Sequence, residues 1–535
     1  MRGLLFWRRL GARLLHPAAA LAIMAVVVCL LVMYPGAKLF DTMFHLGRVD
    51  ALAEHFLAGG GYPCRLYAAS CAGFGYAAPL FYGDFFLIPV ALLRACGASM
   101  VVCFGALLAE QVVLAFGVMY GACGWFGLRG RERLACAAFY LFAPSTMMMI
   151  FSYGQIGMAF ATAFLPCVVF PALVLLTEHG TVPRRLWEAT SLLVLGMSAC
   201  ILSHVITAVL AVFFIGILCL FRLLFLFREP RRIACLAFAA VATLGLTAWF
   251  WVPMLEQRAA VDLFVFDEAW RPASIARIQP VFGFFAEAFI WRKVVYPALA
   301  MYCPEGWEWA LEWAQMDFDA FVAWGWFLAP LLWFLFRNGT LSRFGAAPLW
   351  ARAAGWVLLG LTVLVAMPLA LDVLVSILWW TQFPSRFFGL WTCLLAPLAV
   401  CFAFRRCTPY QRRLLLETFL VMFLLVSVFP LYARRCHLAG LGHPPVSELL
   451  YNIGNGEYLP ERFTRVHGGK VPEKEEKEAW PWRWRPGASG DAGIFTLEVT
   501  TPQTSVSVPR FYYKGYAATM DGEPLSIRES FDGMV

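Results

Sequence analysis

Asp41, His45 and Arg48 stand at i, i+4 and i+7 in LFDTMFHLGRVDALAEHF, a spacing that gathers a carboxylate, an imidazole and a guanidinium on one side of a helix. Phe44, Leu52 and Phe56 share an apolar face of the same segment, which predicts an amphipathic helix lying on the outer surface of a membrane. An acid beside a His and an Arg at the boundary between lipid and water can act as a base, or bind a metal or a phosphate. The alternative is structural: Asp41 caps the helix that follows, and His45 and Arg48 are its solvated neighbours.

Other polar groups stand alone in apolar surroundings. Asp84 lies in GFGYAAPLFYGDFF, and Tyr153 and Gln155 lie in FSYGQIGM. Gly73, Gly75 and Ala78 match GxGxxA, but a dinucleotide fingerprint must follow a strand, and this one lies in a loop of a membrane protein. His204 follows Ser203 at the turn of a tight helical hairpin. Arg386, in WWTQFPSRFF, either clamps a lipid phosphate through its planar fork or snorkels beside an aromatic belt. Tryptophans cluster at Trp307, Trp309 and Trp313 and at Trp480, Trp482 and Trp484, placed to anchor at an interface or to stack on sugars. Cys64 and Cys71 share a loop and can pair if geometry allows. The cysteines form neither a CxxC nor a Cys/His zinc pattern, so no metal ligand set is expected.

The elements that position these residues follow from composition. With 61% hydrophobic and 14% charged residues among 535, the chain is too apolar for a soluble domain, which excludes a nucleic-acid-binding protein and an anchored cytosolic enzyme. Apolar runs near 17–35, 99–126, 133–150, 158–177, 187–204, 205–225, 233–254, 321–336, 353–371, 387–404 and 414–432 predict about eleven spans in an all-α polytopic bundle. Arg129, Arg131 and Arg133; Arg184 and Arg185; Arg222, Arg228, Arg231 and Arg232; Arg337, Arg343 and Arg352; and Arg405, Arg406, Arg412 and Arg413 all fall in alternate gaps. That parity predicts a multi-pass protein of the cytoplasmic membrane with a cytoplasmic N-terminus, its first helix uncleaved. It also predicts that residues 81–97, broken by Pro89 and Gly97, form an interfacial helix rather than a crossing.

Residues 1–432 are therefore expected to form the transmembrane domain, with outer loops at 36–98 and 255–320. Residues 433–535 are expected to form a small extracytoplasmic β-rich domain, with strands in IFTLEVTT, TSVSVPRFYY and PLSIRES. The sequence stops after DGMV, where a further strand is expected. The outer span ends would then gather Asp41, His45, Arg48, Asp84, Gln155, His204 and Arg386 around one cavity.

DTMFHLGRVDALAEHFLAGGGYPCRLY, GFGYAAPLFYGDFFLIPVALL, TQFPSRFF and PRFYYKGYAATMDGEPLSI, in this order, resemble the GT-C superfamily of integral membrane glycosyltransferases. The resemblance is to the bacterial group of YfhO-like proteins and of those labelled 6-pyruvoyl-tetrahydropterin synthase-related membrane proteins, and it covers most of the chain. It implies a GT-C-like fold and transfer of a sugar from a polyprenyl-phosphate carrier to an extracytoplasmic acceptor, whether envelope glycan, glycolipid or protein. Asp41 matches the acid that serves as base or metal-linked carboxylate, so a divalent metal is compatible with the site without being required. Arg386 would contact the carrier phosphate, with His45, Arg48, Asp84, Gln155 and His204 as further substrate-binding groups. Relatives often carry Glu or Asp after the third span, where this chain has GQIGM, so a second carboxylate is missing. A non-catalytic protein that handles or translocates lipid-linked sugars is the other reading of the same fold. Membrane lipids are expected partners in either case, and nucleic acid is not.

Overall fold

The computed structural model describes residues 41–151, 154–266, 353–358, 384–411, 458–467, 483–486, 493–496, 506–508 and 510–535. The expected spans at 17–35, 321–336 and 414–432, most of that at 353–371, Tyr153, Trp307, Trp309, Trp313, Trp480 and Trp482 lie outside them. The main helices are α1 (Thr42–Leu57), α2 (Ile88–Ala95), α3 (Met100–Phe126), α4 (Arg131–Phe142), α5 (Pro144–Phe151), α6 (Ile156–Phe164), α7 (Pro166–Thr177), α8 (Pro183–Ser203), α9 (Val205–Phe221), α10 (Pro230–Ala260), α11 (Phe388–Arg406) and α12 (Glu461–His467). Among the described residues, four stretches are long and apolar enough to cross a membrane: α3, α6 with α7, α8, and α10. The residues divide into two compact units.

The first unit holds the described residues of 108–245, 353–358 and 384–411. Its centre is α6–α7, of whose apolar stretch 94% is buried, against 28% for α10. Helices α7 and α8 approach closely at Gly196, where a Cβ would meet the Cys167 carbonyl carbon at 2.8 Å. Small residues at such contacts let helix backbones come together. Gly196→Ala is therefore expected to push the pair apart and to cost about 1–3 kcal/mol, measured as a lower thermal midpoint of the purified protein. An unchanged midpoint would show that this contact is loose.

Proline and helix ends cost backbone carbonyls their α-helical donors, and side chains add bonds to them. Pro166 denies the Thr162 carbonyl its α-helical donor, and the Tyr140 hydroxyl donates to it at 2.6 Å. At the end of α7, Arg232 donates to the carbonyls of Val174, Leu175 and Glu178 at 3.1, 2.8 and 2.6 Å. Arg222 donates to Leu176 at 2.9 Å. Arg232 is fully buried, so one of the arginines expected to mark topology also caps a helix.

The second unit holds the described residues of 41–107, 246–266 and 458–535. Its helix α1 corrects the sequence reading of a surface amphipathic helix: all but Met43, Glu54, Phe56 and Leu57 are buried. Polar partners explain why. Asp50 pairs with Arg94 of α2 at 2.6 Å, and Arg48 is held by carbonyls of the 76–83 stretch, so the charges of α1 are matched inside the unit instead of by water. Pro89 and Gly97, which break the apolar run at 81–97, start and end α2, the latter with φ +94°. The apolar helix Phe85–Ala95 is shorter than the helices able to cross.

In the tail, β1 (Arg483–Pro486) pairs antiparallel with β2 (Gly493–Thr496), and β3 (Ala518–Met520) with β4 (Glu523–Leu525). The second hairpin turns through Asp521 and Gly522, both at positive φ, as a tight two-residue loop demands. Of TSVSVPRFYY, only Phe511 is ladder-paired among the described residues, and the DGMV sequence supplies its partner: Phe511 bridges Met534, and the Tyr512 amide donates to Gly533 at 3.0 Å. On its other side the Phe511 amide donates to the Phe74 carbonyl at 3.0 Å, and Arg510 donates to Ala68 at 3.2 Å. The tail is thus built into the loop that follows α1. Gln257 of α10 adds a two-way bond with the Lys514 backbone, its Oε1 accepting from the amide at 2.9 Å and its Nε2 donating to the carbonyl.

Candidate active site

Asp41 occupies the position just before α1, and its backbone carbonyl accepts from the His45 amide at 3.1 Å. Its carboxylate makes no capping bond to the helix. The structural role that sequence offered for this acid is therefore not the one it plays. The side chain is half-buried, at the edge of a unit whose next turn is buried.

That next turn is a packed polar cluster. Arg48 donates through Nη2 to the carbonyls of Tyr82 at 2.8 Å and Gly83 at 2.9 Å, and its Nη1 lies 3.1 Å from His45 Nδ1. Because a guanidinium can only donate, His45 accepts there, which places its own proton on Nε2. The Tyr82 ring lies 4.6 Å beneath the guanidinium carbon and edge-on to His45 at 5.3 Å. Asp84 accepts from the hydroxyls of Tyr62 at 3.0 Å and Tyr67 at 3.1 Å, one on each oxygen. His45, Arg48, Tyr67 and Asp84 are each at most 3% exposed.

The electrostatics follow from that burial. Burial lifts the Asp84 carboxyl above the usual carboxylate range, against the opposing pull of Arg48 and the two tyrosine hydroxyls. For Arg48, burial acts downward, but Tyr67 and Asp84 outweigh it and hold the guanidinium above its usual value. Both tyrosines are pushed up, chiefly by burial and then by Asp84, and remain protonated donors. An acid raised in the folded state stabilises the fold most below its unfolded pKa, and that contribution is lost as pH rises through the folded value. The wild type should therefore lose stability as pH climbs from about 3.9 toward the raised Asp84 value. Asp84→Asn should flatten this slope in a thermal-melt series across acidic pH. An identical slope in the variant would show that Asp84 does not titrate there.

The remaining expected site residues, Gln155, His204 and Arg386, belong to the first unit. Gln155 stands half-buried before α6, whose Ala159 amide donates to the Gln155 carbonyl at 2.8 Å. His204 is the single residue between α8 and α9. Its Nδ1 accepts from the Thr207 amide at 3.3 Å and lies 2.8 Å from the Thr207 hydroxyl, so the imidazole caps α9. Arg386 is buried in the short turn Pro384–Phe387 ahead of α11. Gln155 and His204 both sit at helix ends opposite those carrying Arg184, Arg185 and Arg222.

Sequence reasoning missed Tyr62, Tyr67 and Tyr82. A signal was present, since a buried acid needs donors and the loop between α1 and α2 is rich in tyrosine, but which tyrosine meets which oxygen depends on loop closure. Cys64 and Cys71 form no disulfide, and the Cys64 thiol donates to the Leu66 carbonyl at 3.3 Å. Among the described residues no group of three or more His, Cys, Asp or Glu is placed to hold a metal ion. Set against models of protein families, curated proteins and solved structures, the chain matches none.

Proposed function

We propose that this protein is a membrane glycosyltransferase that moves a sugar from a polyprenyl-phosphate carrier to an acceptor on the far side of the cytoplasmic membrane. The observation that carries the reading is Asp41: a half-buried carboxylate that heads a buried helix without capping it, one turn from the fixed His45 and Arg48. In the proposed reaction the Asp41 carboxylate takes the proton of the acceptor hydroxyl. The acceptor oxygen bonds to the anomeric carbon as the bond from that carbon to the carrier phosphate breaks, and the phosphate leaves with the electron pair. Arg386 stabilises the charge that develops on it.

The proposed orientation places the N-terminus and the Arg405–Arg413 stretch in the cytoplasm, and residues 36–98 and 433–535 outside, within a bundle of about eleven spans. It is supported by arginines at the described helix ends, namely Arg129 before α4 and Arg131 and Arg133 in its first turn, Arg184 and Arg185 in α8, Arg222 after α9, and Arg405 and Arg406 ending α11. Single cysteines placed in the tail should react with an impermeant maleimide in intact cells, and labelling only after lysis would reverse the scheme.

The function itself is tested by purifying the protein in mild detergent and identifying bound lipid by mass spectrometry. Co-purifying polyprenyl-phosphate sugar supports transfer. Its presence with no sugar transfer to any envelope fraction favours the lipid-handling reading, to which the neutral Gln155 already lends support.

A further inference from the structure

Pro253 lies inside α10 and has no amide hydrogen, so the Trp249 carbonyl, four residues earlier, has no helical donor. Arg65, from the loop after α1, takes its place: Nη2 donates to the Trp249 oxygen at 2.8 Å. A neutral amide would meet this need as well. Arg65 also brings a positive charge. The nearby Asp84 already has Arg48 for its charge and a tyrosine on each oxygen. Arg65 forms no ion pair among the described residues, and four of its five N–H groups have no other partner there. Partial burial lowers its pKa, against the opposing pull of Tyr62 and Asp84.

The surroundings say what kind of anion fits. Tyr62 stands edge-on to Trp249 with ring centres 5.5 Å apart, and edge-on to Phe85 at 6.3 Å. Phe85 is 42% exposed, and Leu92 and Leu93 of α2 and Leu246, Val252 and Leu255 of α10 also expose apolar side chains. Trp249 belongs to a helix long enough to cross a membrane and lies about two thirds of the way along it, six residues before Leu255, in the half toward the end where Trp meets lipid headgroups. A cation with spare planar donors, walled by aromatic rings and flanked by exposed aliphatic side chains, suits a phosphate ester that carries acyl chains. We infer that Arg65, with Tyr62, Trp249 and Phe85, forms a headgroup site for an anionic phospholipid. This goes beyond the glycosyltransferase reading and uses neither Asp41 nor Arg386.

The test is native mass spectrometry of the full-length protein titrated with phosphatidylglycerol and with phosphatidylcholine. The wild type should prefer phosphatidylglycerol. Arg65→Gln keeps a donor for the Trp249 carbonyl but removes the charge, and it should weaken phosphatidylglycerol binding about tenfold, while Arg65→Lys keeps most of the preference. Adding Pro253→Ala to Arg65→Gln gives the carbonyl a helical donor, so lipid binding should stay lost. If Arg65→Gln binds as the wild type does, the site is elsewhere. If Pro253→Ala restores binding to Arg65→Gln, Arg65 serves only the helix. If inorganic phosphate alone binds in an Arg65-dependent way, with no gain from acyl chains, the lipid assignment is overturned.

Discussion

Replacing Asp41 by Asn should lower sugar transfer by about 10²- to 10⁴-fold, the range over which a general base contributes, while leaving the fold intact. The structure sharpens this expectation because the carboxylate makes no capping bond. Asn has the same size and is itself a good residue at a helix start, so stability should move by no more than about 0.5 kcal/mol. An amide takes up no proton near neutral pH, so a base is lost outright. The readout is transfer of labelled sugar by membranes carrying only the variant, with a thermal melt of the purified protein alongside. Full activity in Asp41→Asn would end the catalytic assignment. A large fall in the melting midpoint would instead give Asp41 a structural role.

Arg48→Met should have the largest effect on stability, about 3–5 kcal/mol, the usual cost of stranding one buried charge by removing its partner. Met keeps much of the aliphatic stem. It abandons the carbonyls of Tyr82 and Gly83 and the ring nitrogen of His45, and it leaves Asp84 buried with only two tyrosine hydroxyls. The buried Cys64 and Cys71 report the outcome, since loosening of the loop between α1 and α2 should open them to maleimide. Adding Asp84→Asn should recover part of the loss, because no charge is then stranded, and the cycle of single and double variants isolates that coupling. Slow thiol labelling in Arg48→Met, matching the wild type, would mean that the cluster does not hold the loop.

The elements that carry long apolar runs were legible in the sequence because a membrane-crossing helix needs little beyond length and hydrophobicity. Thus 99–126, 158–177, 187–204 and 233–254 correspond to α3, α6–α7, α8 and α10. The placement of α1 was not legible. Asp41, His45 and Arg48 at helical spacing look like a wetted stripe, and nothing local says that Arg48 meets the carbonyl of Tyr82, 34 residues away. The same limit applies to His204. Its neighbour Thr207 is plain to see, yet the bond that makes the imidazole a cap forms only because α8 stops at Ser203. Prolines announced where carbonyls would be freed, but not that Tyr140 and Arg65 would take two of them. In the tail, only the starts of IFTLEVTT and PLSIRES coincide with described strands, and the dependence of Phe511 on a loop near the other end of the sequence was not legible.

That dependence bears on how the molecule is made. The bond from Arg510 to Ala68 joins residues 442 positions apart, and Phe511 packs its ring on Phe74 at 5.3 Å while its amide fills the Phe74 carbonyl. Ribosomes add about 5–20 residues per second, so the loop after α1 waits tens of seconds before the segment that completes it exists. During that interval Phe74, the Ala68 carbonyl and the bridge between Tyr67 and Tyr76 lack their last neighbour. Completion of the second unit is therefore a late step of biogenesis, and the 67–76 stretch gains its last partners only when residues 510–535 arrive.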